Sequence, residues 1–115
     1  MKNRGYVIER ICPFGVTWDR SKFEGFCFEE SEANQAMQRL YWENKSFGFT
    51  THQVLFVNEN KIGNDVFLIC TGSQFIYSPY LVVPDYKFGQ EECKRIEEAE
   101  FGLFCTLDMI KVLRR

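Results

Sequence analysis

Residues 51–71 read THQVLFVNENKIGNDVFLICT, two runs rich in Val, Leu, Ile and Phe around a stretch dense in Asn. β-Branched and aromatic side chains suit a pleated, half-buried surface, and Asn and Gly suit turns. The reading is a hairpin of 51–58 and 65–71 centred on Lys61. That register sets Val54 opposite Leu68 and Phe56 opposite Val66, with Leu55 opposite Phe67 on the other face. It also sets His52, the single histidine, opposite Cys70. Antiparallel sheet then becomes the frame around which the rest of the chain is read.

Upstream, Tyr6 to Cys12 (YVIERIC) has strand character and is stopped by Pro13 and Gly15. Lys22 to Glu29 (KFEGFCFE) predicts a second strand, bulged at Gly25. Ser31 to Lys45 predicts a helix with Ser31 as N-cap and Glu32 in the first turn. Ala33, Ala36, Met37, Leu40 and Tyr41 recur on one face at helical spacing. Downstream, Phe75 to Val83 predicts a strand that Pro79 confines to an edge or breaks. Gln90 to Glu100 predicts a charged helix with Cys93, Ile96 and Ala99 inward, ended by Gly102. The tail 103–115 reads two ways. Alternation of Leu103, Cys105, Leu107 and Met109 fits a strand; Thr106 capping Leu107, Ile110 and Leu113 fits a short helix. No internal repeat is read.

Strands outnumber helices, and regular β-α-β alternation and Gly-rich phosphate loops are absent. The expected fold is a single α+β domain over 1–115. It has a mainly antiparallel sheet of 4–5 strands with one or two helices packed on one face.

Composition narrows the function classes. The chain has 115 residues, 17% aromatic, with twelve Phe and three Pro, which excludes a disordered or fibrous chain. The net charge is −2, without the basic excess of a nucleic-acid domain. The five cysteines, Cys12, Cys27, Cys70, Cys93 and Cys105, form no CxxC pair. No secretory core or apolar span is read, so cytoplasmic location, reduced thiols and no intrachain disulfide are expected. Asn44-Lys45-Ser46 is a sequon without a secretory route. No metal and no cofactor are expected.

Four local signals carry chemistry. His52 beside Cys70 is the pairing that activates a thiolate, although a core edge uses the same residues. Lys45 to His52 (KSFGFTTH) is similar to the aromatic signature of RNA-recognition domains, with Lys45, Phe47, Gly48 and Phe49 matching and Ser46 departing from Gly. That resemblance, eight residues long, implies bases stacked on Phe47 and Phe49; the alternative is a loop whose Phe side chains plug the core. Trp42 lies on the far side of the first helix from its apolar stripe, beside Gln35, Gln38 and Arg39. An exposed Trp next to an Arg is the composition of a protein-binding hot spot, unless the tail covers it. Glu91, Glu92, Glu97, Glu98 and Glu100 alternate with Lys94 and Arg95 as on a solvated helix face.

The expected function is a small intracellular, non-enzymatic protein-binding domain of inhibitor, immunity or adaptor type. It binds another protein or a second copy of itself through Trp42, Arg39, Gln38 and Gln35. The alternatives are a Cys/His-dependent enzyme using Cys70 and His52, and single-stranded nucleic-acid binding through Lys45, Phe47 and Phe49. Nucleic acid and membrane are not the expected partners.

Overall fold

The computed structural model describes residues 3–11, 22–43, 48–73, 76–100 and 102–113. The strands are β1 (Asn3–Ile11), β2 (Lys22–Cys27), β3 (Gly48–Phe56), β4 (Asp65–Ser73), β5 (Ile76–Val83) and β6 (Phe104–Lys111). The helices are α1 (Glu30–Glu43) and α2 (Tyr86–Ala99). One sheet of six strands takes the order β2-β1-β3-β5-β4-β6. It is mixed, because β3 and β5 run parallel. The α+β class holds, with both helices on one face and more strands than the sequence suggests.

The hairpin of 51–71 does not form. β3 pairs with β1 and β5, β4 pairs with β5 and β6, and β5 lies between them. The connection is no tight turn. Asn58 takes a left-handed φ of 54°, Glu59–Lys61 form one 3-10 turn, and Ile62 is buried in the core. An apolar anchor in the middle of the connection turns it into a crossover. Pro79 sits on an interior strand, not an edge. The β3–β5 pairing covers only Leu55–Leu81 and Phe56–Val82, so no ladder bond is asked of the proline nitrogen on that side. The tail resolves as strand, β6, pairing with β4 from Asp65–Lys111 to Gly72–Phe104.

α1 begins at Glu30, so Ser31 lies inside it. It packs Ala33, Ala36, Met37 and Leu40 against Ile8 and Cys27, while Tyr41 is exposed. α2 starts four residues before the expected Gln90, because Asp85 caps it: Oδ1 accepts from the Phe88 N–H at 2.8 Å. Ala99, expected inward, is exposed.

The sheet curls until its outer strands touch. Phe26 of β2 bridges Val112 just after β6, and the Leu113 N–H donates to the Phe26 carbonyl at 2.8 Å. The enclosed face holds Val7, Phe26, Val54, Phe56, Val66, Leu68, Cys70, Val82 and Ile110, all buried. Phe26, Phe28 and Phe56 meet edge to face at 5.0–5.5 Å.

The second half of the chain repeats the first, contrary to the sequence reading. β1-β2-α1-β3 and β4-β5-α2-β6 are two ββαβ units with the same strand order. From β2 onward equivalent residues stand 56 apart, from Cys27/Val83 to Phe56/Val112. Both helices have 14 residues. Each first strand meets an irregularity at the same level, leaving Glu24 and Tyr80 unopposed. The parallel pair Phe56–Val82 is matched across the other seam by Phe26–Val112. The repeat is hidden because, between 22–57 and 78–113, only Arg39/Arg95 and Thr50/Thr106 are identical. What persists is burial, as at Phe26/Val82, Ala33/Gly89 and Val54/Ile110.

Candidate functional site

α1 presents its polar side to solvent because its small residues, Ala33 and Ala36, let the other side lie close to the sheet. Gln35, Gln38, Arg39 and Trp42 are all exposed. Trp42 is 69% accessible and meets Tyr41, itself 52% accessible, edge to face at 6.2 Å. The C-terminal segment is committed to β6 and leaves most of the indole uncovered. α1 ends with no basic residue in its last turn.

The His52–Cys70 pair is not cross-strand. His52 is opposite Val7 and Cys70 is opposite Thr106 and Pro79. Both nonetheless project to the enclosed face, since directly opposed residues share a face and Val7 and Cys70 belong to one cluster. β1 and β4 run in the same direction, so Glu9 and Cys70, as equivalent positions of the two units, lie at the same end. At this end stand Glu9, Thr50 and His52, all partly buried, from one unit, and buried Cys70, partly buried Thr106 and exposed Asp108 from the other. The His52 Nε2 and Glu9 Oε1 are 2.6 Å apart, partly buried, and Phe23 stands edge-on to the imidazole with ring centres 6.2 Å apart. Glu9 thereby fixes the imidazole orientation.

Cys70 is pushed up to about 12, chiefly by burial, against a hydrogen bond from Thr106 and with the charges of Asp108 and Glu9 adding to the rise. A thiol held in that state is the opposite of an activated nucleophile. Glu9 escaped the sequence reading. Its signal is a carboxylate alternating with Val7 and Ile11 on a face otherwise apolar.

Among the described residues no group of three or more His, Cys, Asp or Glu is placed to hold a metal ion. Lys45 and Phe47 lie outside the described residues. Phe49 is half-buried and packs under α1 with Ile8 and Cys27, so its ring serves the core. Of the acidic residues of α2, Glu92 bonds Arg95 and Glu97 accepts from the Cys105 N–H at 3.0 Å. A shallow cleft of about 260 Å³ opens where β3 and β5 splay apart, lined by Arg4, Gln53, Val54, Leu55, Pro79 and Tyr80. Among the described residues no helix is long and apolar enough to cross a membrane. Compared with protein-family models, curated proteins and solved structures, the chain matches none.

Proposed function

We propose that the protein is a non-enzymatic binding domain that docks another protein on the outer face of α1, in the manner of an inhibitor, an immunity factor or an adaptor in the cytoplasm. The observation that carries this is the Trp42 indole, 69% accessible beside Tyr41 on a helix already seated on the sheet by its other face. Arg39 stands one turn before Trp42, and Gln35 and Gln38 extend the face. An aromatic anchor with a guanidinium beside it fits a partner surface that offers an apolar pocket flanked by carboxylate. Against the Cys70/His52 enzyme stands a thiol kept protonated by burial and negative neighbours. Against stacking of nucleic-acid bases stands the half-buried Phe49.

The test is Trp42→Ala, read in two ways. Urea unfolding should move by no more than about 0.5 kcal/mol, because an exposed side chain contributes little to stability. Affinity capture followed by titration of the captured protein should show about thirtyfold weaker binding, the conversion of about 2 kcal/mol for a hot-spot residue. Sedimentation of the purified chain identifies the case in which the partner is a second copy. A fall of about 3 kcal/mol or more in stability would mean that the indole is buried in solution, and unchanged binding would remove α1 from the interface.

A further inference from the structure

α2 and β6 meet at a pair of thiols. Cys93 on α2 and Cys105 on β6 pack against the same buried residues, Ile69, Leu81 and Val83. Glu97 follows Cys93 by one helical turn and so lies on the same helix face. Its Oε1 accepts from the backbone N–H of Cys105 at 3.0 Å, which sets that face directly over Cys105. Each thiol lies near enough to the other to influence its titration. The first unit supplies an independent check. Its equivalent positions, Met37 and Phe49, also pack against one cluster between helix and strand. Contact at this pair of positions therefore belongs to the architecture. Cys93 and Cys105 are partly exposed, whereas Cys27 and Cys70 are buried.

We propose that Cys93 and Cys105 are a site of oxidative modification, converted by a small disulfide oxidant of the glutathione type into an intrachain disulfide that ties α2 to β6. One cysteine gives its proton to water, and its thiolate attacks a sulfur of the oxidant. The S–S bond of the oxidant breaks and one equivalent leaves as a thiol. The second cysteine then attacks the protein sulfur of this mixed disulfide, and the other equivalent leaves. Two protein thiols are oxidised by two electrons and one oxidant disulfide is reduced to two thiols, which carry both protons.

Burial pushes both thiols above their ordinary range, and Cys105 reaches about 12 with Cys93 and Glu97 adding to the rise. The thiolate is scarce at neutral pH, so the first attack is slow. Its rate should climb about tenfold per pH unit between about pH 7 and 9, in step with the thiolate population.

The experiment incubates the intact native chain with oxidised glutathione, quenches with acid and maps tryptic peptides without reductant. Trypsin cuts after Lys94 and Arg95, so the cross-link joins Phe88–Lys94 to Ile96–Lys111. The expected result is that this linked pair is the main oxidised product. In Cys93→Ser and Cys105→Ser the link is replaced by a stable glutathione adduct on the remaining thiol. Adducts on both cysteines without a link in the wild type would overturn the proposal. So would a link from either cysteine to Cys12, or reaction only after unfolding in urea.

Discussion

Closure of the sheet rests on a small contact that mutation can load. At Gly25 an added Cβ would stand 2.4 Å from Leu113 Cγ and 2.6 Å from its Cδ1. Ordinary contact begins at 3.4 Å, so the leucine has to retreat by about 1 Å. It is poorly placed to do so, because its own N–H is bonded to the Phe26 carbonyl at 2.8 Å across the seam. Overpacking of this kind costs about 1–3 kcal/mol. Replacing Gly by Ala returns about 0.4–1 kcal/mol by restricting the unfolded chain, as no positive φ at Gly25 opposes it. Gly25→Ala should therefore lose about 1–2 kcal/mol in urea unfolding at unchanged m. Leu113→Ala alone removes a half-buried side chain and should cost about 2 kcal/mol. In the double variant the clash is gone, so its loss should fall short of the sum by about 1 kcal/mol or more. The opposite seam shows the reasoning in reverse: there Leu81 holds the position of Gly25 and the smaller Val57 that of Leu113. Additivity within about 0.5 kcal/mol would mean that Leu113 does not seat on Gly25 and that the closure is not as described.

Two further perturbations address the second unit. Asp85→Ala should lower stability by about 1 kcal/mol and Asp85→Asn by much less, because either oxygen-bearing side chain accepts from the Phe88 N–H; equal losses in urea midpoint would show that the cap is not the cause. Burial pushes Cys70 of the folded chain up to about 12 against an ordinary 9.0, so as pH rises through 9 the unfolded chain gives up its proton first and stability falls, by up to about 1.4 kcal/mol per pH unit for this one group, with little effect well below pH 9. Unfolding free energies at pH 8, 9 and 10 should fall more steeply in the wild type than in Cys70→Ala, and parallel lines would contradict the burial of that thiol.

The elements were legible in the sequence where local chemistry decides them. YVIERIC and KFEGFCFE carry the β-branched and aromatic side chains of strands buried on both faces, and the spacing of Ala33, Ala36, Met37 and Leu40 reports the one buried face of a helix. Pairing was not legible. Val54 with Leu68 and Phe56 with Val66 look like cross-strand partners because all four enter the same core, yet β5 separates the two strands. Matching hydrophobicity identifies membership of a face and says nothing about which neighbour shares the ladder. The warning was Ile62, an apolar residue inside a supposed polar turn. For the same reason Cys93 and Cys105 looked unrelated: their contact depends on α2 folding back over β6, and no local spacing encodes it. Trp42 was legible because a helix fixes opposite faces from sequence alone.

The two halves of the chain also act as controls for one another. Positions that the frame requires keep their character in both, as at Phe26/Val82, Cys27/Val83, Ala33/Gly89 and Val54/Ile110. Positions that the frame does not require are free to differ. Trp42 has Glu98 as its counterpart, exposed on a helix of the same length and seated the same way. A carboxylate there supports the architecture as well as an indole does, so folding gives no reason for the aromatic. Glu9 and His52 stand against Cys70 and Asp108, and Cys93 and Cys105 stand against Met37 and Phe49. At each of these sites the same place in the frame is filled by side chains of different chemistry in the two units. The contrast separates side chains that the frame requires from side chains that it does not, and Trp42 is of the second kind.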